Sequence, residues 1–248
     1  MSLNIKDIEF DYGKKNVLKG IGFSCNRGEV ISIVGPNGSG KTTFLKCINR
    51  ILEVKNGGVT FEKSNILGME YEDVAKKIAY VPQMLKETFS VPVIDVIMMG
   101  RTPHIRWKVS DDDLDIVINI MKEMKIDDLA REPYSTLSGG QRQKVLIARA
   151  LAQETDIYLL DEPISFLDIK NQIEVMKLTR KVAKEDNKIV VMVIHDLNMA
   201  KKYSDKILLM DKGQVVDFGA SHEVLCKENI KKVYDVDVDI INEYIIPL

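Results

Sequence analysis

Apolar and polar residues alternate in some segments of the chain and form continuous runs in others. Near the start, "LNIKDIEF" and "LKGIGFS" have the period of two that is typical of half-buried antiparallel strands. "EVISIVG" is rich in β-branched residues and predicts a buried strand that leads into a turn at Gly35. "DIYLLDEP" and "NKIVVMVIHD" are continuous apolar runs, which are typical of parallel strands covered on both faces.

Helical spacing of apolar residues appears in other segments. "KTTFLKCINRIL" predicts a helix, and so does "SDDDLDIVINIMKEM", which has a Ser110 cap and an acidic first turn. Residues 84–136 contain little strand signal, so we predict a helical subdomain over 84–136, inserted into a core made of 1–83 and 137–248. The apolar stripe of the second helix consists of Leu114, Val117, Ile118 and Met121.

The end of the chain adds strands. "DKILLMDKGQVVDFG" predicts a hairpin with Gly213 in its turn, followed by a helix near Ser221 to Tyr234 and the alternating strand "VDVDII". The order of elements predicts an α/β fold with a mixed, mainly parallel sheet, an antiparallel β subdomain and the helical insertion. Ligands of such sheets bind at the carboxyl ends of the parallel strands.

The composition limits the class of protein. The chain has 248 residues and a net charge of −2, so it lacks the basic surplus of proteins that neutralise nucleic-acid phosphates. Its longest aliphatic run, "IVVMVI", is far shorter than the roughly 18 residues of a membrane span, and "MSLNIKDIEF" has charges where a signal peptide needs an apolar core. We expect a cytoplasmic protein without a nucleic-acid partner. Three scattered cysteines and three distant histidines predict no metal cluster.

A glycine-rich string follows "EVISIV". "GPNGSGKT" matches the phosphate-loop pattern G-x-x-x-x-G-K-[ST] and lies between a predicted strand and a predicted helix, as that pattern requires. Its glycines allow N–H groups to surround phosphate oxygens, Lys41 adds a positive charge, and the Thr42 hydroxyl is placed for Mg²⁺. The alternative is a glycine-rich turn without a ligand. The residues predicted to bind ATP here are Gly35, Pro36, Asn37, Gly38, Ser39, Gly40, Lys41, Thr42 and Thr43.

Polar side chains follow three of the predicted strands. Asp161 and Glu162 end "IYLLDEP", and adjacent residues of an extended chain point in opposite directions, so their roles must differ. Asp161 is predicted to hold Mg²⁺ through water, and Glu162 to activate a water that attacks the γ-phosphate. His195 can donate to a phosphate oxygen, and Gln83 can contact the Mg²⁺ shell or the attacking water. The alternatives are a helix cap or a surface pair for the carboxylates and a structural role for the histidine.

A second anion site is predicted in "YSTLSGGQRQ". Ser138 can cap a helix, and Gln141, three residues later, can reach back to complete a capping box. Gly139 and Gly140 leave the N–H groups of the first helical turn bare, and a bare helix start attracts anions. The chain would therefore carry two phosphate sites that are far apart in sequence.

Together these strings resemble those of ATP-binding-cassette (ABC) ATPases over essentially the whole chain. The resemblance implies a P-loop NTPase core, the cofactors ATP and Mg²⁺, and a Mg²⁺ site formed by Thr42, Gln83 and Asp161. It also implies that Tyr12, in "FDYGKKNVLKGI", stacks on adenine. The matching motifs are the Walker A loop (Gly35–Thr42), the Q-loop (Gln83), the signature (Leu137–Gln141), the Walker B strand (Ile157–Glu162), the D-loop (Asp168) and the switch histidine (His195).

The resemblance also accounts for the second anion site. In ABC ATPases two subunits pack head to tail, and the signature of each subunit caps the γ-phosphate bound by the other. Ser138, Gly139, Gly140 and Gln141 would then complete a site in trans, so two copies of the chain are needed for two whole sites. We therefore expect a homodimer of ATPase subunits.

"AYVPQ", "DVIMMGRTPH" and "LSGGQRQKVLIARALAQ" further resemble the ATPases of iron–siderophore, haem and cobalamin importers. That resemblance implies two integral membrane permease subunits, a substrate-binding protein that acts through them, and a location on the cytoplasmic face of the cell membrane. "MGRTPH" (Met99–His104) would dock a coupling helix of the permease. The alternatives are a solvated surface turn for Arg101 and His104, and core packing for Met98 and Met99.

The chain departs from the family pattern in the D-loop, where Phe166 replaces a smaller residue or histidine and Ile164 replaces threonine. It also has Gln141 where several such importers have glutamate, although both residue types complete a capping box. Two other functions remain open. One is a cytosolic ABC ATPase without a transporter, in cluster assembly or on DNA. The other is a P-loop metabolite kinase, against which the signature and His195 argue.

Overall fold

The structure is a computed structural model that describes residues 2–83, 90–105 and 107–248. Its strands are β1 (Ser2–Tyr12), β2 (Lys15–Asn26), β3 (Val30–Val34), β4 (Asn56–Phe61), β5 (Ser64–Asn65), β6 (Ile78–Val81), β7 (Ile157–Asp161), β8 (Ile189–Val193), β9 (Lys206–Asp211), β10 (Gln214–Ala220), β11 (Val238–Ile241) and β12 (Tyr244–Pro247). Its α-helices are α1 (Lys41–Ile48), α2 (Tyr71–Ala75), α3 (Val93–Met98), α4 (Asp111–Glu123), α5 (Gly139–Ala152), α6 (Ile169–Lys184), α7 (Leu197–Tyr203), α8 (Ser221–Val224) and α9 (Lys227–Tyr234).

The chain divides into two compact units, one formed by Met1–Met69 with Met176–Leu248 and the other by Glu70–Val175. In the first unit β10, β9, β3 and β8 lie side by side in that order. β3 is parallel to both β8 and β9, whereas β10 is antiparallel to β9. Every residue of β3 and β8 is buried. The prediction of continuous apolar strands in a mainly parallel sheet is therefore confirmed.

A second sheet of the first unit contains β2, β1, β4 and β5, and all its pairs are antiparallel. In β1 the buried and less buried side chains alternate up to Ile5, and Asp7 then has a φ of +48°. The register shifts between Ile5 and Ile8, which returns Ile8 and Phe10 to the buried face. This bulge lets the strand keep one face in the core, as the alternating pattern predicts.

The C-terminal segment differs from its prediction in one respect. The helix expected near Ser221 to Tyr234 is two helices, α8 and α9, because Leu225 and Cys226 leave helical geometry between them. The break buries Leu225 completely and gives Cys226 the extended backbone of an N-cap. The predicted hairpin with Gly213 in its turn is confirmed as β9–β10, and the alternating strand is confirmed as β11.

In the second unit β6 and β7 form a parallel pair, and α3, α4 and α5 pack on one another. The predicted helical subdomain, 84–136, falls within this unit, which also contains β6, α5 and β7. Residues 84–89 and Arg106 lie outside the described residues. From 90 to 136, the described residues contain α3, α4, an isolated bridge between Pro92 and Pro133, and short 3-10 helices. The boundaries of the subdomain stay a prediction.

Helix α4 corrects one part of its predicted apolar stripe. Val117 and Met121 are buried, whereas Leu114 is 39% exposed. Asp113 takes the buried position in the first turn instead, because its carboxylate pairs with Arg101 at 2.9 Å. The apolar stripe of α4 therefore begins one turn later than the spacing of apolar residues indicates.

Among residues 2–83, 90–105 and 107–248, none of the helices combines the length with the hydropathy that a membrane crossing requires.

Candidate nucleotide-binding site

The phosphate loop connects β3 to α1. Gly35, Gly38 and Gly40 have φ values of +150°, +79° and +102°, which residues with side chains rarely adopt. A Cβ atom on Gly35 would lie 2.1 Å from the carbonyl oxygen of Met210 in β9, and one on Gly40 would lie 2.8 Å from Leu18 Cδ2 in β2. The backbone of β9 therefore leaves no room for a side chain at Gly35, and the positive φ of Gly40 would strain any residue with a side chain.

Lys41 is buried at the phosphate loop, with 6% of its surface exposed. Its Nζ donates to the carbonyl oxygens of Gly35 and Pro36 at 2.8 and 2.9 Å. The Ser39 hydroxyl is also buried and has no hydrogen-bond partner in the described part of the chain. A buried ammonium group and an unpartnered hydroxyl are both suited to an anionic ligand. The donors of this loop therefore fit a phosphate group.

The turn between β9 and β10 supports the phosphate loop. The Gly213 N–H donates to the Ser39 carbonyl at 3.1 Å, and the Lys19 N–H donates to the Gly213 carbonyl at 2.9 Å. Gly213 has a φ of +78°, and a Cβ atom there would lie 2.1 Å from the Val17 carbonyl oxygen. The sequence predicts Gly213 only as a turn residue. Its link to the phosphate loop was missed because it depends on contacts between distant parts of the chain.

Two other predicted contacts of the nucleotide lie at the surface of the first unit. Tyr12 ends β1 with half of its side chain exposed, and its ring packs edge-on against Phe10, 4.7 Å between centroids. His195 is exposed two residues after the end of β8, and Asp196 caps α7 by accepting the Met199 N–H at 2.9 Å. Both rings are accessible, as stacking on adenine and contact with phosphate require. The contacts themselves stay predictions.

In the second unit β7 ends at the carboxylate of Asp161. This residue is 2% exposed, and its Oδ2 accepts a hydrogen bond from the Tyr80 hydroxyl at 3.2 Å. Burial, and then the negative charge of Asp161, raise the pKa of Tyr80 well above its usual value, so Tyr80 stays a neutral donor. The string "AYVPQ" contains Tyr80, but nothing in its spacing indicates this contact.

Glu162 has a φ of +52°, which is uncommon for a residue with a side chain. This left-handed backbone lies beyond the end of β7, so the alternation of an extended strand was the wrong reason to separate its role from that of Asp161. The Glu162 carboxylate accepts hydrogen bonds from Gln83 Nε2 at 2.6 Å and from Ser165 Oγ at 2.9 Å. The structure thus brings two of the predicted site residues, Gln83 and Glu162, into direct contact.

Helix α5 begins with the predicted capping box of the signature. The Gln141 N–H donates to Ser138 Oγ at 3.3 Å, and the Ser138 N–H donates to Gln141 Oε1 at 2.9 Å. The D-loop packs against this helix start, because a Cβ atom on Gly140 would lie 3.3 Å from Leu167 Cδ2. The capping box is therefore confirmed, while its contact with a phosphate of a second copy stays a prediction.

The D-loop precedes α6 and is held by Asp168. The two carboxylate oxygens of Asp168 accept the N–H of Asn171 at 2.8 Å and its Nδ2 at 3.0 Å. Phe166 is 45% exposed, and its Cβ would lie 3.6 Å from a Cβ atom on Gly139. The unusual phenylalanine of this D-loop therefore lies beside the signature glycines.

Comparisons with known proteins show to which family this chain belongs. A family model described as "ABC transporter" matches residues 18–165, more than half of the chain. The chain belongs to the ABC transporter family. An uncharacterized ABC transporter ATP-binding protein of Methanocaldococcus jannaschii is 44% identical over 248 residues, 100% of this chain and 97% of that protein.

Two relatives of this ABC protein have names that state a cargo. The iron(3+)-hydroxamate import ATP-binding protein of Bacillus subtilis is 34% identical over 244 residues, which are 98% of this chain and 91% of that protein. A cobalamin import ATP-binding protein of Halobacterium salinarum is 33% identical over 238 residues, 96% of this chain and 60% of that protein. The chain is therefore an ABC ATPase of the importer type.

Two solved structures share the fold of this ABC ATPase. One, an inward-facing conformation of a metal-chelate type ABC transporter, has a TM-score of 0.85 at 29% identity and covers 100% of this chain and 97% of that chain. The other, a dimeric post-hydrolysis state of an ATP-binding cassette with ADP and Pi, has a TM-score of 0.80 at 28% identity and covers 88% and 98%. The predictions of an ABC ATPase fold and of ATP binding are confirmed.

In this ABC ATPase Arg101 is buried, although the segment Met99–His104 was predicted to be either a docking surface or a solvated turn. Its Nε donates to Asp113 at 2.9 Å, and its Nη1 donates to the Glu154 carboxylate at 2.6 Å and the Ala152 carbonyl at 2.8 Å. Hydrogen bonds from Ser110, and then from Arg101, lower the pKa of Asp113 to about 2. The prediction of a solvated turn is therefore wrong for Arg101.

The neighbours of Arg101 are more accessible. Met99 is 52% exposed, so core packing is the wrong interpretation of its side chain. His104 is also exposed, and its Nε2 lies 2.9 Å from the Gln153 carbonyl oxygen. Docking of a membrane subunit through Met99 and His104 stays a prediction.

Proposed function

We propose that this ABC ATPase is the ATP-hydrolysing motor subunit of an importer for an iron chelate such as a siderophore, for haem or for cobalamin. The observation that carries the proposal is the near full-length similarity to an iron(3+)-hydroxamate import ATPase. The similarity of the whole chain to a metal-chelate type transporter supports the same class of cargo.

Residues at or just after the ends of β6 and β7, together with the phosphate loop, are proposed to carry out hydrolysis. Thr42, Gln83 and Asp161 would hold Mg²⁺, which supplies positive charge to the phosphates when it is bound. Asp161 suits this role because it is a buried carboxylate oriented by the Tyr80 hydroxyl. Glu162 would take a proton from the attacking water, and its contact with Gln83 supports a shared role of the two side chains at that water.

The remaining motifs are proposed to act between two copies of the chain. One phosphate loop and one signature per chain make two half-sites, so Ser138, Gly139, Gly140 and Gln141 of one copy would complete the ATP site of the other. The capping box supports this arrangement, because it fixes the helix start and the direction of its N–H groups. Asp168 would lie at the same dimer seam, His195 would contact the γ-phosphate, and Tyr12 would stack on adenine.

The proposed partners are two integral membrane permease subunits and a substrate-binding protein that acts through them. The proposed location is the cytoplasmic face of the cell membrane. ATP binding would close the dimer and hydrolysis would reopen it, so that the energy of nucleotide binding shifts the population of conformations of the permease.

Uptake assays test the proposal and separate the three cargoes. Cells that lack the gene, and carry either this chain or its Glu162→Gln variant, are given a radiolabelled ferric siderophore, haem or cobalamin. Uptake of one of the three compounds is expected to return in cells that carry the unchanged chain. It should not return in cells that carry the Glu162→Gln variant. An affinity-tagged chain should also co-purify with a protein of several membrane spans. Recovery of a soluble complex without such a protein would support the cytosolic ABC ATPase instead.

A further inference from the structure

Residues 227–248 form a C-terminal segment to which none of the motifs assigns a role. This C-terminal segment consists of α9 and the hairpin β11–β12, and it belongs to the first unit. A two-stranded hairpin is at best marginally stable by itself. The elements that the segment contacts therefore decide both its stability and what it can do.

Helix α9 is held between β10 and the hairpin. The Asn229 Nδ2 donates to the Asp217 carboxylate in β10 at 2.8 Å. On the other side α9 packs on β11, and Lys227 at its start forms an ion pair with Asp239 of that strand at 2.6 Å. These contacts fix the direction of α9, and with it the place where the helix ends.

Tyr234, the last residue of α9, reaches the phosphate loop. Burial raises the pKa of its hydroxyl to about 12, and a hydrogen bond with the Gly35 backbone opposes that rise. Only a donor lowers the pKa of a hydroxyl in this way, so the Gly35 N–H donates to the Tyr234 oxygen. The Gly35 carbonyl in turn accepts from Lys41 Nζ at 2.8 Å. Tyr234 thus holds the same residue that accepts the hydrogen bond of the phosphate-loop lysine.

The hairpin of the C-terminal segment is fixed to α7 by one side chain. The Asn198 amide accepts the Ile245 N–H at 2.8 Å and donates to the Ile245 carbonyl at 3.1 Å. An amide side chain has the donor and the acceptor of a peptide group, so Asn198 takes the place of a neighbouring strand beside β12. The Ile245 side chain is itself buried. The hairpin is therefore docked on the first turn of α7.

The two contacts lie at the carboxyl ends of neighbouring strands. Gly35 directly follows β3, His195 comes two residues after β8, and β3 and β8 pair in parallel. Asn198 lies three residues beyond His195, in the helix that Asp196 caps. Ligands of parallel sheets bind at such strand ends. The C-terminal segment therefore contacts the phosphate loop and also the helix that directly follows His195.

We propose that the C-terminal segment positions the two parts of the ATP site at these strand ends. Tyr234 is a positioning residue for the phosphate loop. Asn198 is a positioning residue for His195, because it fixes the hairpin to the helix that His195 precedes. The first role requires only that this ABC ATPase binds ATP, whereas the effect of the second on hydrolysis rests on the proposed function of His195.

Tyr234→Phe in the full-length protein tests the first role. The variant keeps the ring but leaves the Gly35 N–H without this acceptor, so the Kd of ATP should rise about two- to tenfold. The turnover number at saturating ATP should change by less than about twofold, because the loss affects binding rather than the hydrolysis step. Tyr244→Phe, at an exposed position of β12, is the matched control and should bind ATP like the unchanged protein. Calorimetry and phosphate release measure the two quantities.

Asn198→Leu tests the second role. It removes both hydrogen bonds to Ile245, so the imidazole NMR signals of His195 should shift in the nucleotide-free protein, while those of His104 in the second unit stay in place. Turnover of ATP should fall about tenfold or more, because a displaced group is a poor contact for the reacting phosphate. The Kd of ATP should change by less than about twofold. Asn119→Leu, at an exposed position of α4, is the matched control and should leave the His195 signals unchanged.

A further variant separates a specific contact from a general loss of structure. Asn198→Asp keeps the acceptor for the Ile245 N–H and loses the donor to the Ile245 carbonyl, so it should shift the His195 signals less than Asn198→Leu. A cooperative thermal transition of each variant shows that it is folded.

Two results would overturn the proposal. One is an ATP Kd of Tyr234→Phe equal to that of the unchanged protein, and the other is a set of His195 signals that Asn198→Leu leaves in place. If those signals shift while turnover stays normal, the positioning of His195 stands and its proposed contact with the γ-phosphate is refuted instead. None of these results depends on the cargo, so each leaves the proposed importer function untouched.

Discussion

At the scale of single residues, two acidic groups of the candidate site, Asp161 and Glu162, are oriented by neutral donors. The Tyr80 hydroxyl donates to Asp161, and Gln83 and Ser165 donate to Glu162. A hydrogen bond to an ionised carboxylate is stronger than one between neutral groups, so these donors fix where each carboxylate points. The orientation of Glu162 is therefore set before any water or nucleotide arrives.

The Glu162→Gln variant tests the role of this carboxylate. ATP turnover should fall by about 10²- to 10⁴-fold, because an amide cannot accept a proton from water. ATP binding should persist, since the amide oxygen can still accept from Gln83 and Ser165. Phosphate release and ATP affinity measure the two effects, and Glu185→Gln, an exposed residue just beyond α6, is the control. Normal turnover in Glu162→Gln would refute the proposed role.

The ionised carboxylate of Asp113 makes the stability of the fold depend on pH in the acid range. Its pKa is lowered from 3.8 to about 2, so it contributes stability above pH 3.8 that is lost as the pH falls toward about 2. Asp113→Asn should lower the free energy of unfolding at neutral pH and flatten its dependence on pH across that range. Urea unfolding at several pH values measures this, and Asp112→Asn in the same helical turn is the exposed control. An unchanged acid dependence in Asp113→Asn would contradict the expectation.

At the scale of elements, the phosphate loop depends on a hairpin that lies far from it in sequence. The turn between β9 and β10 donates the Gly213 N–H to Ser39 and accepts the Lys19 N–H of β2. One glycine thus joins the loop to two strands. A substitution that distorts this turn is therefore expected to weaken phosphate binding, even though every residue of the phosphate-loop motif is still present.

Gly213→Ala tests this support. The added Cβ would meet the Val17 carbonyl oxygen at 2.1 Å in a backbone conformation with positive φ, so the turn must move away from the loop. The dissociation constant of ATP should rise at least tenfold, as measured by calorimetry. Gly58→Ala is the matched control, because its Cβ would enter open space and its φ is not positive, and it should bind ATP normally.

The sequence predicted the features that depend on neighbouring residues. The strands, the phosphate loop and the Ser138–Gln141 capping box all follow from local spacing, and the structure contains them. Arg101 could not be placed in this way, because its acidic partners lie 12 and 53 positions away. The contact of Gln83 with Glu162 spans 79 positions. Such contacts depend on tertiary packing, which the spacing of residues along one chain does not show.

At the scale of the whole molecule, one chain is expected to hold two halves of different sites. The phosphate loop belongs to the first unit and the signature to the second. The proposed homodimer joins the phosphate loop of one copy to the signature of the other. The signature of each copy therefore lacks its expected phosphate ligand until a second copy binds.

Ser138→Arg, introduced into the Glu162→Gln variant, tests whether the signature of one copy completes the ATP site of the other. The bulky side chain should prevent the proposed ATP-dependent dimer, as measured by gel filtration, while the single chain still binds ATP. Ser138→Ala loses the same cap, at a cost of about 1 kcal/mol, but adds no bulk, so this matched control should still form the dimer. A dimer that persists in Ser138→Arg would rule out a phosphate contact by the signature of a second copy.

The buried ion pair of Arg101 with Asp113 affects how the second unit responds to heat. Hydration of charged groups becomes less favourable as the temperature rises, so the penalty for burying Arg101 with Asp113 falls on warming. Stabilisation by apolar burial reaches a plateau over the same range. This ion pair should therefore contribute more to the stability of the second unit at high temperature than at room temperature. The stability of this unit is therefore expected to fall less on warming than it would with apolar packing alone.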